Sequence, residues 1–208
     1  MESAAVGLRA HSGWAALVAV CLEKGEPVVL SRQRVHLVKT FTYSFRQPYH
    51  TAEKMPLPDG RKFISQVRAE AARLACNAVQ QVQSKLGEAE YRLGCFALLV
   101  ASGRVLPDLE KILAAHTLIH TADGELFREA LSFAGKKHGL REFRLRERGL
   151  LGCGAESLCL SEGALLRRLA ELGRGLGPPW SQDEKYAALA AWLALRERGV
   201  QGSRRKIA

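Results

Sequence analysis

The chain has 208 residues, 47% hydrophobic and 25% charged, which is ample for one well-buried core and excludes an extensively disordered protein. A net charge of +10 favours polyanionic partners, and Arg198, Arg204, Arg205 and Lys206 gather part of that charge near the C-terminal end. No apolar run reaches membrane-spanning length, the start Met1-Glu2-Ser3-Ala4-Ala5 lacks the basic region of a signal peptide, and the five cysteines are odd in number; the expectation is a cytoplasmic protein with reduced thiols and no membrane partner.

Residues 14–22 form a continuous apolar run, and Glu23-Lys24-Gly25-Glu26 interrupts it before a β-rich run over 27–38, which predicts an antiparallel hairpin. Phe41, Tyr43 and Phe45 alternate with polar residues, the period of a further strand. A loop carrying Pro48, Pro56, Pro58 and Gly60 follows. Over 61–86, Ile64, Val67, Ala71, Leu74, Ala78 and Val82 recur every three or four residues, predicting a long amphipathic helix that stops at Gly87.

The run 93–101 reads as a strand buried on both faces, near the centre of a sheet. Pro107 opens a helix running past His120, with a break at Asp123-Gly124, resumption through Phe127, Leu131 and Ala134, and a stop at Gly139. A fifth strand over 140–145, a loop over 149–156, a helix over 160–172, a breaker segment over 173–179 and a last helix over 182–198 complete the chain. This organisation predicts a single domain over 1–198 and a basic tail over 199–208.

The order strand, strand, strand, helix, strand, helix, strand, helix resembles the ribonuclease H-like fold. The opening Val6-Gly7-Leu8-Arg9-Ala10-His11-Ser12-Gly13-Trp14-Ala15 is similar to the strand-turn of Holliday-junction resolvases, where Gly, Asp, Pro, Gly and a later Gly-aromatic pair recur. The resemblance implies an α/β fold with a mixed five-stranded sheet, three antiparallel strands first, and helices on both faces. Nucleases of this kind use carboxylates on the first strand, the fourth strand and the last helix to hold two divalent metals around a phosphate. Here the first-strand position falls on Leu8 or Arg9, and neither 3–22 nor 93–101 contains an acid. Asp183, beside Glu184, matches the last-helix position, so the resemblance implies the fold with its usual nuclease site mostly missing. Ser181 and Glu184 also have the spacing of a capping box, which gives this acidic turn a structural explanation.

His50-Thr51-Ala52-Glu53 is echoed seventy residues later by His120-Thr121-Ala122-Asp123, with His116 one helical turn upstream and Glu125 just beyond. Leu109, Leu113, His116 and His120 follow helical steps, which predicts that both histidines face inward. A divalent metal such as zinc can take His116 and His120, with a third ligand from Asp123, Glu125, His50 or Glu53. A hydrolase reading then uses His50, Glu53, His120 and Glu125 as its catalytic set. The spacing resembles the helix of zinc proteases, but Thr117 stands where their general base would be. The competing reading is a set of buried neutral histidines held by carbonyls or carboxylates, with Asp123 or Thr121 as a helix cap.

From Pro27 to Thr51 there are basic residues and no acids, interleaved with aromatics. Arg32, Arg34, Lys39 and Arg46 can pair phosphates while Phe41 and Tyr43 stack bases, which predicts a nucleic-acid partner. Against this, an aromatic stripe at strand period is also what the core face of a strand looks like. The sequence thus points first to a nucleic-acid-associated binding or accessory protein without a complete two-metal site, and second to a His/Glu hydrolase with or without metal.

Overall fold

β1 (Glu2–His11) turns through Ser12-Gly13 into β2 (Trp14–Glu23), which turns through Lys24-Gly25 into β3 (Glu26–His36). Both connections are two residues long, and positive φ at Gly13, Lys24 and Gly25 gives the backbone the twist that such tight hairpins need. The computed structural model describes residues 1–101 and 105–204, apart from the side chains of 198–204. Among the described residues β4 (Tyr91–Val100) and β5 (Arg141–Arg146) complete a five-stranded sheet in the order β3-β2-β1-β4-β5. The first three strands are antiparallel to one another, whereas β1, β4 and β5 run parallel.

Period-two alternation sends successive side chains to opposite faces. Val6 and Leu8 of β1, Leu17 of β2, and Phe96 and Leu98 of β4 enter one core, covered by α3 (Leu57–Glu88) and α5 (His116–Lys137). Ala5, Val18, Val20, Cys95, Ala97 and Leu99 enter the other. That second face is covered by α6 (Leu150–Ser157), α7 (Glu162–Leu172) and α8 (Gln182–Arg204). α8 lies very close to the sheet: a Cβ on Gly7 would stand 1.7 Å from the Ala187 carbonyl oxygen. Glycine on the strand and alanines at 187, 190 and 191 on the helix permit that approach. No helix among the described residues is long and apolar enough to cross a membrane.

Several local expectations are corrected. Phe41, Tyr43 and Phe45 are not on a strand: β3 ends at His36, Leu37 and Val38 drop into the core, and α1 (Tyr43–Arg46) follows. Three strands still precede any helix, because 2–11 is a strand. The predicted loop at Pro48 contains α2 (Pro48–Ala52), with Pro48 at its first position, where a missing N–H is harmless. The helix expected from Pro107 through His120 is interrupted, because Ala115 is extended between α4 (Leu109–Leu113) and α5. His116 and His120 therefore do not share a continuous face with Leu109 and Leu113, and both are exposed rather than inward.

No break occurs at Asp123-Gly124. Asp123 spends its oxygens on tertiary partners instead of capping a helix, and Gly124 is tolerated inside α5. The 149–156 segment, expected as loop, is mostly α6; Gly154 lets it approach Leu189 and Leu165, a tertiary gain that its local composition conceals. The last helix continues to Arg204, and residues 205–208 of the expected basic tail, with Arg205 and Lys206, lie outside the described residues.

Candidate functional site

The carboxyl ends of β1, β4 and β5 point to one edge of the molecule, which also carries the β1–β2 turn, the segment after β3 and the first turns of α5 and α8. In sheets of this kind that edge is where ligands bind, since the loops gather there. Three groups of side chains occupy it.

The first is a histidine cluster. One ring nitrogen from each of His50, His116 and His120 lies within 4.8 Å of the others. His116 Nε2 and His120 Nε2 are 3.0 Å apart, one turn apart on α5. His50 comes from α2, its ring centroid 4.4 Å from that of His120 and 5.3 Å from that of His116. Behind His50, Asp123 Oδ2 lies 2.5 Å from Nδ1, and Asp123 Oδ1 accepts the Tyr49 backbone N–H at 2.7 Å. Burial pushes the Asp123 carboxyl above its ordinary range, opposed by the His50 ring and the Tyr49 N–H. A neutral His50 that donates Nδ1–H to Asp123 keeps its Nε2 lone pair free.

The loop expected to carry His50 and Glu53 is thus a short helix whose third residue is His50. Glu53 is its exposed C-cap residue and is not among the clustered groups. Glu125 is paired with Arg128 at 2.9 Å on the same helix. Asp123 stands behind His50 rather than beside His116 and His120. The sequence did not flag Arg68, which donates to the Tyr49 hydroxyl at 3.1 Å and pairs with Glu129 at 2.8 Å, bracing α2 against α3 and α5.

The second group lies at the end of β1 on the α8 side. The Arg9 guanidinium pairs with both Asp183 and Glu147, and its Cζ is 5.2 Å from the Tyr186 ring centroid. His11 Nε2 is 2.8 Å from Asp183. Burial by itself would lower the Arg9 pKa, but hydrogen bonds and charge from Glu147 and Asp183 outweigh it and raise the value further. Asp183, the acid at the last-helix family position, is therefore held by a fixed cation on the first strand. Glu147 was missed by motif reasoning, although its place just after a parallel strand is the signal that marks it. The capping box is present: Glu184 accepts the Ser181 backbone N–H at 2.8 Å and its hydroxyl at 2.6 Å, while Ser181 Oγ accepts the Asp183 N–H at 3.2 Å.

The third group is basic and aromatic. Arg34 Cζ lies 3.8 Å from the Trp14 ring centroid and 5.8 Å from that of Phe41, and Arg46 Cζ lies 4.7 Å from the Phe41 centroid. His11 stacks on Trp14 at 4.3 Å. Phe41 is 42% and Tyr43 56% exposed, so this stripe is not a core face. Lys39 is exposed nearby, whereas Arg32 is turned inward and donates to the carbonyls of Leu176 and Pro178 at 2.9 and 3.0 Å.

No protein-family model and no curated relative matches the sequence. Solved structures do resemble it. RuvC of Thermus thermophilus in complex with a Holliday junction substrate superposes with a TM-score of 0.52 at 10% identity, covering 96% of each chain. A structure of T. thermophilus RuvC gives 0.49 at 13% identity over 95% of this chain and 96% of that one. A Ppx/GppA family member from Aquifex aeolicus gives 0.37 at 11% identity over 76% of this chain and 39% of its own. At such identities the likeness is one of architecture, and it agrees with the strand order and the two covered faces: the chain has a ribonuclease H-like fold, similar to that of the Holliday-junction resolvase RuvC.

Proposed function

We propose that the protein binds nucleic acid along the edge formed by the ends of β1, β2 and β3, and that it does so without two-metal cleavage. The observation that carries this reading is the series Trp14, Arg34, Phe41 and Arg46, with cations and rings alternating at 3.8 to 5.8 Å, in which Arg34 and Phe41 are exposed and Trp14 and Arg46 half-buried. Guanidinium groups set over rings can still direct N–H groups at phosphates, and the exposed rings of Phe41 and Tyr43 offer faces on which bases stack. A net charge of +10 supplies the long-range attraction. The same fold in T. thermophilus RuvC is seen in complex with a Holliday junction substrate, which supports nucleic acid as the partner class.

The Arg9 guanidinium supports the second half of the proposal. A cation fixed between Asp183 and Glu147 already engages both carboxylates, and a divalent metal bound to them would have to sit beside its positive charge.

The test is fluorescence anisotropy with labelled single-stranded, duplex and four-way-junction DNA and their RNA counterparts, across a salt series. The expected result is affinity that falls linearly on a log–log salt plot. Replacing both Arg34 and Arg46 by Ala should flatten the slope on single strands by about 1.4, at about 0.7 per phosphate contact. Tyr43→Ala should lose about 1 to 3 kcal/mol of stacking. Absence of binding at low salt, or binding indifferent to these changes, overturns the reading; cleavage of the probes on adding Mg²⁺, lost in Asp183→Asn, overturns its non-cleaving part.

A further inference from the structure

The histidine cluster is separate from the basic-aromatic surface, and its geometry is independent of whether nucleic acid binds. Three imidazoles from two helices converge so that one ring nitrogen of each lies within 4.8 Å of the others. The 3.0 Å contact between His116 Nε2 and His120 Nε2 brings together two nitrogens that repel each other unless a proton or a metal lies between them.

We propose that His50, His116 and His120 bind one divalent transition metal of the zinc class, with Asp123 as the group that orients His50. The donor set fits that ion: three neutral imidazoles are a common zinc complement, and they leave the fourth tetrahedral position for water or a ligand. At Zn–N distances of about 2.0–2.1 Å, tetrahedral nitrogens stand about 3.4 Å from one another. The His116–His120 pair needs to open by only a few tenths of an ångström, and the ring nitrogens that span up to 4.8 Å need to close toward it. His116 and His120 are exposed, so rotation of their rings accomplishes this with little cost in packing.

The buried part of the site is already built. Asp123 is 4% and His50 7% exposed, and the carboxylate accepts from both the His50 ring and the Tyr49 backbone. A carboxylate behind a ligating histidine fixes its tautomer and raises its basicity, as metal sites generally arrange. Arg68 in turn holds the Tyr49 hydroxyl, so the helix that carries His50 is anchored on both sides. The open side faces solvent, which gives a bound ion room for an exchangeable water.

The experiment is elemental analysis of untagged protein, followed by titration of the chelator-stripped protein with Zn²⁺ and Co²⁺ in a calorimeter and a spectrophotometer. The expected result is one zinc per chain and the intense visible bands of tetrahedral Co²⁺. The double variant His116→Ala, His120→Ala should weaken zinc binding by more than a hundredfold. Asp123→Asn should weaken it by about 10- to 100-fold. His116 and His120 are exposed, so the metal-free double variant should melt like the metal-free parent, and that comparison separates lost ligation from lost folding. Failure of the stripped, folded protein to take up Zn²⁺ or Co²⁺ overturns the proposal, as does stoichiometric binding that survives the double substitution.

Discussion

Asp123 and His50 are 73 residues apart in sequence and meet with 2.5 Å between Oδ2 and Nδ1, while the other carboxylate oxygen takes the Tyr49 N–H at 2.7 Å. One buried acid thus clamps two consecutive residues of α2 onto α5. Removing it leaves a buried N–H and a buried ring nitrogen without an acceptor. Asp123→Ala is expected to destabilise the metal-free protein by about 2 to 6 kcal/mol, since each of the two orphaned buried groups costs about 1 to 3 kcal/mol. Urea denaturation checks this; a change below about 1 kcal/mol would mean that water replaces the carboxylate without loss.

Gly7 sets the distance between sheet and α8. A methyl group there would lie 1.7 Å from the Ala187 carbonyl oxygen and 2.6 Å from its carbon, both backbone atoms of a helix packed along its buried face. Gly7→Ala should therefore lower stability by at least the roughly 1 to 3 kcal/mol typical of overpacking, and Gly7→Val should abolish soluble folded protein. Thermal melts of the two variants beside Gly139→Ala, where a Cβ meets nothing but φ is positive, distinguish crowding from backbone strain.

Arg9 joins β1 to the residue after β5 and to the first turn of α8 through Glu147 and Asp183. Its side chain is 13% exposed and Glu147 34%, so solvent screens part of the interaction. Arg9→Ala is expected to cost about 1 to 3 kcal/mol, less than a fully buried pair would. A double-mutant cycle with Asp183→Asn should return a coupling of about 1 kcal/mol or more; additivity of the two changes would show that the ion pair contributes nothing to stability.

The cysteines divide by reactivity. Burial, the larger cause, together with the charges of Glu23 and Glu2 raises the Cys21 pKa above its ordinary value, outweighing its contact with Tyr91. A raised value means a protonated thiol at neutral pH, and the thiolate is the reactive form. Cys153 and Cys159 are exposed, whereas Cys21 and Cys95 are buried. Alkylation at pH 7.5 followed by peptide mass mapping should mark Cys153 and Cys159 within minutes and Cys21 and Cys95 only after denaturant is added. Early labelling of Cys21 would show that the edge of the sheet opens in the native state.

Helices and strands with a long uniform pattern were legible in the sequence. Of the expected stripe, Ile64, Val67, Ala71, Ala78 and Val82 are buried in α3, while Leu74 is half-buried and its neighbour Ala75 is buried instead, and the apolar run in β4 is buried on both faces. Of the short elements, β5 was legible, whereas α1, α2 and α6 were not. Phe41, Tyr43 and Phe45 have strand period but lie exposed beyond the end of β3, because alternation records a possible pairing and says nothing of whether a partner strand is there. α6 reads as a glycine-containing loop until Leu165 and Leu189 pack against it.

The site divides along the same line. His50, His116, His120, Asp123 and Asp183 stand out from the sequence as residue types able to bind metals or move protons. Their partners do not. That Asp123 holds His50, that His50 joins the two histidines of α5, and that Arg9 lies between Asp183 and Glu147 all depend on the order β3-β2-β1-β4-β5. Local pattern determines which face of a segment leaves water, because the hydrophobic effect acts on each segment in turn. Which buried faces meet is decided by packing two cores on one sheet at once, and only that arrangement brings residues 73 and 174 positions apart within hydrogen-bonding distance.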